Sequence, residues 1–372
     1  MKKKPIRVLQ ILGSLNMGGA ECRMMDVYRA IDKSAFQFDF VTLTSGHQIF
    51  EDEIKELGGK VYKIKSPREI GILKHVREVR KCIRAENYSV LHAHTSYHCG
   101  MMMLAAWLEH IPVRISHART TGSKSKAKSK HISLVLGRIL IKLFATKRIA
   151  ISKKAGEFVF GNSSFEVLPN AIDVKKYQNI DNSEIDNIKE EIGIRKDAFI
   201  IGQIGRFALM KNHIFSINLF NEYLKHFPNT KLVFIGDGEL KPEIESLAKK
   251  LGIYGEVIFT GIRNDVNKVI HTFDVLLFPS LFEGLGGVAL EAQAAGIPVV
   301  ESDSVPVETD MGVGMVQRVS LHDDFSVWKN AIDAARDGKR PSFEIINRAF
   351  QEKKYTLSST INTLCSIYRG EE

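Results

Sequence analysis

The 372-residue chain predicts an α/β protein made of two doubly wound domains. Three observations predict it. Short apolar runs alternate with stretches of helical period, which implies parallel sheets covered on both faces by helices. The alternation breaks once, at the polar stretch 173–184, and then resumes. The length suits two domains of ordinary size.

The first series of strand-like runs is Arg7–Leu12, Phe38–Thr44, Lys60–Ile64, Val90–His92, Val113–His117, Arg148–Ile151 and Glu166–Leu168. Helical patterns such as Ala20–Ile31 and Leu73–Arg84 fill the gaps. The polar stretch reads as a linker. A second series follows, at Phe199–Gly205, Lys231–Gly236, Val257–Thr260, Val275–Pro279 and Pro298–Glu301. Residues 1–172 therefore form one domain and 173–351 the other. The stretch from Gln351 to Tyr368 is helical, has no strand after it, and could pack against either. Sheets of this kind bind ligands beyond the carboxyl ends of their strands, so two facing domains would place a site in the cleft between them.

Composition narrows the class. No apolar run approaches 18 residues, which argues against a spanning helix. The start, Met1-Lys2-Lys3-Lys4, is followed by an apolar run broken by Arg7 and Gln10 with no small-residue cleavage site, so it reads as a first strand and not a signal peptide. Cys22, Cys82, Cys99 and Cys365 show no Cys-x-x-Cys spacing, which points to a reducing compartment and away from thiolate metal sites. The net charge of +9 is uneven: Arg114–Lys154 holds twelve Lys or Arg and no acid, leaving the rest of the chain at −3.

The most informative segment is Phe282-Glu283-Gly284-Leu285-Gly286-Gly287-Val288-Ala289-Leu290-Glu291. A buried-strand pattern precedes it, three glycines make the turn, and a helical run to Ala295 ends at Gly296. Strand, glycine turn and helix start hold anions on free backbone N–H groups. Carboxylates would repel such an anion, yet they accept hydrogen bonds from hydroxyls. Glu283 lies in the loop, and Glu291 lies one turn into the helix with its side chain tilted back toward the start. The segment thus suits a ligand that is both phosphate and polyol, such as a nucleotide sugar.

Other constellations support this. Arg206 and Lys211 sit on the loop after the first strand of the second series and can neutralise a diphosphate. Gly18-Gly19 opens a helix after the first strand and lets a ligand approach the backbone, although the segment matches neither dinucleotide nor ATP fingerprints. His117 ends a strand and can donate a hydrogen bond to a sugar or phosphate. His92 and His94, with His98 and Cys99 nearby, fix no third metal ligand, so no metal is expected. The basic segment joins a polar loop, Gly122–Lys130, to an amphipathic helix in which Ile132, Val135, Leu136, Ile139, Leu140 and Leu143 fall at helical spacing. That pattern suits an anionic membrane surface. No nucleic-acid module accompanies the charge, so nucleic acid is not an expected partner.

Together these motifs resemble glycosyltransferase family 4, retaining enzymes of the GT-B fold, most closely of the capsule and exopolysaccharide type. The resemblance is carried by Gly18-Gly19-Ala20-Glu21, His117, Asn170-Ala171-Ile172-Asp173, Arg206 and Lys211, Gly236-Asp237-Gly238, and Glu283 with Glu291. It implies that Glu283 holds the donor sugar's hydroxyls and Glu291 the ribose. It implies that Arg206 and Lys211 bind the diphosphate, helped by backbone N–H groups around Gly284, Leu285, Gly286 and Gly287. Gly18 and Gly19 would lie under the sugar-diphosphate, His117 would contact the sugar, and the C-terminal helix, 352–372, would return to the first domain. No cofactor is implied. The chain departs from the family at Ala171 and at Ala118-Arg119.

The expected reaction is transfer of a sugar with retention from a nucleotide diphosphate, UDP above all, to a lipid-linked saccharide at the inner face of the cytoplasmic membrane. A nucleotide-sugar 2-epimerase of the same fold, or a non-catalytic nucleotide-sugar-binding subunit, are the alternatives.

Overall fold

The computed structural model describes residues 4–121 and 128–371. It holds two all-parallel sheets. The first runs β3-β2-β1-β4-β5-β6-β7, from β1 (Ile6–Leu12), β2 (Phe36–Thr42), β3 (Val61–Lys63), β4 (Val90–Ala93), β5 (Val113–Ala118), β6 (Lys147–Ala150) and β7 (Glu166–Val167). The second runs β10-β9-β8-β11-β12-β13, from β8 (Phe199–Ile204), β9 (Thr230–Ile235), β10 (Val257–Phe259), β11 (Val275–Phe278), β12 (Val299–Ser302) and β13 (Val316–Val319). Strand order reverses between β1 and β4 in one sheet and between β8 and β11 in the other. These reversals are the switch points where open α/β sheets bind ligands.

The chain divides into two compact units, one from Met1–Ile172 with Lys354–Glu372, the other from Asp173–Lys353. Each has its own core. Val8, Leu12, Met24, Tyr28, Phe36, Phe38 and Phe40 pack the first, together with Leu364, Ile367 and Tyr368 from the last helix, Leu357–Arg369. Phe207, Phe220, Tyr223, Phe234, Leu277 and Trp328 pack the second. Strands buried on both faces read as continuous apolar runs, which is why their pattern is plain in the sequence.

Every strand read from the sequence is present, its ends displaced by at most two residues. β2 begins at Phe36 and stops at Thr42, because Leu43 N–H and Thr44 Oγ1 turn to donate to the Gly13 carbonyl. β13 has no counterpart in the sequence reading. It is an edge strand of only four residues, with Gln317 and Arg318 between its valines. The stretch 173–184 is not a free linker: Val174–Tyr177 forms a short 3-10 turn with both ends buried, and a helix begins at Asn182. The C-terminal stretch is not one helix either. Phe343–Glu352 ends before Lys354, which is left-handed at φ 61, and Thr356 caps a new helix from Leu357 to Arg369. Among the described residues no helix is long and apolar enough to cross a membrane.

Candidate active site

In the second unit, two strand-end loops meet backbone to backbone. Gly236, just past β9, has φ +137, and a Cβ there would lie 2.2 Å from the Gly205 carbonyl oxygen. A Cβ on Gly238 would lie 2.6 Å from the Phe207 carbonyl oxygen, so only glycine allows this approach. The turn after β8 is then fixed from below. Gln203 donates through Nε2 to the Lys211 carbonyl at 2.7 Å, and its Oε1 accepts from Ser216 Oγ at 2.6 Å. Asn212 is left-handed at φ 56, opens the helix His213–Leu224, and donates through Nδ2 to the Pro279 carbonyl at 3.1 Å. Leu281 N–H donates to Met210 O at 2.8 Å, tying the loop after β11 to the loop after β8.

This framework brings Lys211 and Glu283 together. The ammonium lies 2.6 Å from Glu283 Oε1 and 4.7 Å from the centre of the Phe278 ring. Both side chains are largely buried, so the pair is screened less than a surface pair. Beyond Gly284 and Leu285, Gly286 has φ +98 and caps the helix Gly287–Ala294; a Cβ there would lie 2.8 Å from Thr309 Cγ2. Gly287 opens the helix, whose first N–H groups have no acceptor within it. Glu291 lies half-buried one turn further along.

Arg206 is placed differently. Its side chain is 75% exposed and pairs with Glu239 at 3.0 Å, so it does not join the Lys211–Glu283 contact. His213, which sequence reasoning passed over, stacks on Phe207 at 4.3 Å. Burial, then the charge of Lys211, pushes its pKa down to about 3.

In the first unit, Gly18 caps the helix Gly19–Ala30, and a Cβ on it would lie 2.3 Å from Glu21 Oε2. A Cβ on Gly19 would meet nothing within 4 Å, so Gly19 leaves the backbone open to approach. His117, on β5, is buried beside His92 and His94, and their nitrogens lie within 4.8 Å of one another. His92 Nε2 is 3.1 Å from His117 Nδ1, and His92 Nδ1 is 2.9 Å from the Tyr368 hydroxyl. His94 Nε2 is 3.0 Å from Gln10 Oε1. Arg119 donates through Nε to His94 Nδ1 at 2.8 Å and through NH1 to Asn170 Oδ1 at 2.6 Å. A guanidinium that already occupies a ring lone pair leaves this trio a poor metal site. His98 rests on Tyr97 instead, at 4.4 Å between rings, and Cys99 Sγ is 3.3 Å from the Ala93 carbonyl oxygen. Burial, reinforced by Arg119, holds all three histidines well below their usual pKa. Tyr368 and Gln10 lie far from His117 in sequence, and no motif marked them.

The basic segment forms the helix Lys128–Phe144; its loop residues 122–127 and the side chains of 128–131 lie outside the described residues. Ile132 is 60% exposed and Leu143 66%, with Val135, Leu136 and Ile139 exposed beside them. The opposite face packs through glycines: a Cβ on Gly100 would lie 2.7 Å from the Gly137 carbonyl oxygen. Leu140, expected on the same apolar face, packs half-buried near Gly100. Arg138 caps another helix by donating to the Phe158 carbonyl at 2.7 Å. Trp107 is also exposed and lies 5.0 Å, ring to ring, from Phe144. A second exposed apolar spot, Ile72 and Leu73, sits between Arg68 and Lys74, and sequence reasoning missed it.

The second unit thus joins a glycine cradle at its strand ends to a paired acid and cation beside a helix start. The family model for group 1 glycosyl transferases matches residues 184–312, and that for glycosyltransferase family 4 matches residues 17–176. EpsF of Bacillus subtilis (strain 168), a protein named as a glycosyltransferase, is 36% identical over 99% of this chain and 97% of its own. The capsular polysaccharide biosynthesis glycosyltransferase CapH of Staphylococcus aureus is 27% identical over 80% of this chain and 81% of its own. An Escherichia coli UDP-Gal:alpha-D-GlcNAc-diphosphoundecaprenol alpha-1,3-galactosyltransferase is 25% identical over 63% of this chain and 64% of its own. Among solved structures, Anabaena HepE in complex with UDP-glucose superposes with a TM-score of 0.70 over 98% of both chains, at 18% identity. The chain belongs to glycosyltransferase family 4.

Proposed function

We propose that this glycosyltransferase moves a hexose, with retention, from a UDP-sugar to a hydroxyl of a lipid-linked saccharide during extracellular or capsular polysaccharide synthesis. The observation that carries the reading is the Lys211–Glu283 pair beside the Gly286–Gly287 helix start. Lys211 and the helix N–H groups supply positive potential for a leaving diphosphate. Glu283 supplies an acceptor for sugar hydroxyls, and Glu291 one for the ribose. Arg206 is assigned to the outer phosphate oxygens, and Gly18, Gly19 and His117 to the sugar-diphosphate. HepE holding UDP-glucose and the Escherichia coli relative acting on a diphosphoundecaprenol-linked sugar support the donor and acceptor classes.

The barrier is charge separation as the sugar–phosphate bond loosens. Fixed donors aimed at the departing phosphate lower it, and loss of one such donor costs about 3–4 kcal/mol. The reading assigns proton removal from the acceptor hydroxyl to the leaving phosphate, on the face the phosphate departs from. The exposed Ile132–Leu143 face on a basic helix supports a peripheral seat on anionic lipid, where each cation near the surface contributes about 1 kcal/mol.

The test is incubation with a panel of nucleotide sugars and lipid-linked acceptors, read by mass spectrometry. The acceptor should gain one sugar mass and release UDP. Free epimerised sugar without acceptor, or binding without turnover, would overturn the reading.

A further inference from the structure

The histidine trio can be assigned proton by proton, because arginine never accepts a hydrogen bond. Arg119 Nε donates to His94 Nδ1 at 2.8 Å, so that nitrogen carries the lone pair and Nε2 the hydrogen. His94 Nε2–H then donates to Gln10 Oε1 at 3.0 Å, which sets the amide so that Gln10 Nε2 donates to the Tyr368 hydroxyl at 3.1 Å. From the other side, Arg119 NH2 approaches His117 Nδ1 at 3.4 Å, which makes that nitrogen an acceptor as well. His92 must therefore give its Nε2–H to His117 Nδ1 and receive the Tyr368 O–H at Nδ1. Burial keeps the Tyr368 phenol protonated for this. The ring of bonds closes on Arg119 from both ends, and each shared proton has one direction. One ring nitrogen is left over: His117 Nε2 is buried and has no partner among the described residues. By the same logic it bears a hydrogen. His117 and Arg119 line a depression with Arg23, Asn170 and Thr360.

We infer that Arg119, Gln10, Tyr368 and His92 form a positioning relay that locks His117 as a neutral Nε2–H donor for a substrate oxygen, and that His117 acts neither as a base nor as an imidazolium. Arg119 is among the positions at which the sequence departs from the motif it resembles, and Tyr368 reaches the relay from the last helix. The inference rests on the reading of His117 as a substrate contact, but its core is a statement about protons that holds without turnover. The other titratable groups near Arg119 are Glu21, Cys99 and Tyr368. Glu21 is the only carboxylate among them. Cys99 is buried and stays protonated.

The test is side-chain nitrogen-15 NMR of histidine-labelled full-length protein, with signals assigned by His92→Gln, His94→Gln and His117→Gln. His92, His94 and His117 should all show the Nε2–H tautomer, unchanged between pH 8 and 5.5. An Nδ1–H form at His117, or its protonation near pH 6.5, would overturn the relay whether or not any sugar is transferred. Arg119→Met should leave the His94 and His117 tautomers mixed; unchanged spectra in this variant would also count against the relay. Tyr368→Phe, which keeps the packing, should lower kcat about tenfold with KM little changed. Equal kcat, or a loss confined to KM, would remove Tyr368 from it. A relay seen by NMR with no transferase activity would leave the relay standing and sink the functional reading alone.

Discussion

Lys211 and Glu283, 72 residues apart in sequence, meet at 2.6 Å because Leu281 N–H bonds Met210 O and Asn212 bonds Pro279 O. Cation and acid are therefore positioned by backbone, and neither owes its place to a flexible surface pairing. Replacing Lys211 by Ala is expected to lower kcat about 10²- to 10³-fold, whereas Cys99→Ala should stay within a few-fold. Steady-state kinetics on the two variants, with folding checked by circular dichroism, decides; equal activities would remove Lys211 from the chemistry.

Glu283→Gln separates the carboxylate's two tasks. The amide keeps an acceptor for a sugar hydroxyl but loses the charge facing Lys211. Sugar selectivity should fall while UDP binding tightens or holds, since Lys211 is then no longer shared with a neighbouring acid. Calorimetric titration with UDP and with UDP-glucose measures both; a parallel collapse of the two affinities would show that Glu283 only supports the fold.

Gly236→Ala tests the backbone cradle. The new Cβ would meet the Gly205 oxygen at 2.2 Å, at a φ of +137 that L-residues avoid. The expected cost is at least about 2–3 kcal/mol. At Gly255 a Cβ meets nothing within 4 Å, and alanine there should cost under about 1 kcal/mol. Urea unfolding of the two variants gives the comparison.

Stability should fall on the acid side. The folded protein holds His213 near 3 and His92, His94 and His117 well below their usual value, while the unfolded chain takes up these protons at about 6.5. Below that pH the unfolded state binds more protons, so stability is full above about 6.5 and is lost as pH drops toward the depressed values. The slope reaches about 1.4 kcal/mol per pH unit for each histidine. Urea midpoints from pH 7.5 to 5 should decline, and His213→Phe should flatten the decline. A flat wild-type profile would contradict the burial argument.

The Lys128–Phe144 helix should hold the protein on anionic vesicles. Leu136→Gln with Ile139→Gln alters two exposed side chains, and should weaken binding more than tenfold. Raised salt should weaken it further by screening the basic residues. Flotation with anionic and neutral vesicles reads both effects, and binding that ignores the double substitution would place the contact elsewhere, with Ile72 and Leu73 the next candidates.

Much of the fold is legible in the sequence alone. Strands buried on both faces announce themselves as apolar runs, and the Glu283–Glu291 segment carries its own turn chemistry. The Lys211–Glu283 contact was not legible, because no local pattern says which of two nearby cations a distant acid will meet; Arg206 instead turned outward to Glu239. β13 was missed because an edge strand with Gln317 and Arg318 lacks the signal a central strand has. Tyr368 and Gln10 were missed for a related reason. A buried polar network is defined by partners brought together in three dimensions, and each member alone looks like an ordinary core residue.

The return of Leu357–Arg369 to the first unit has a consequence for biosynthesis. Ribosomes deliver the β1–β7 sheet first, but Leu364, Ile367 and Tyr368 emerge only after all of Asp173–Lys353 has been made. Until then the nascent first unit exposes Phe36, Phe38 and His92 where the last helix will lie. A half-made chain is thus withheld from working order, and translation must run nearly to residue 369 before its histidine cluster is closed.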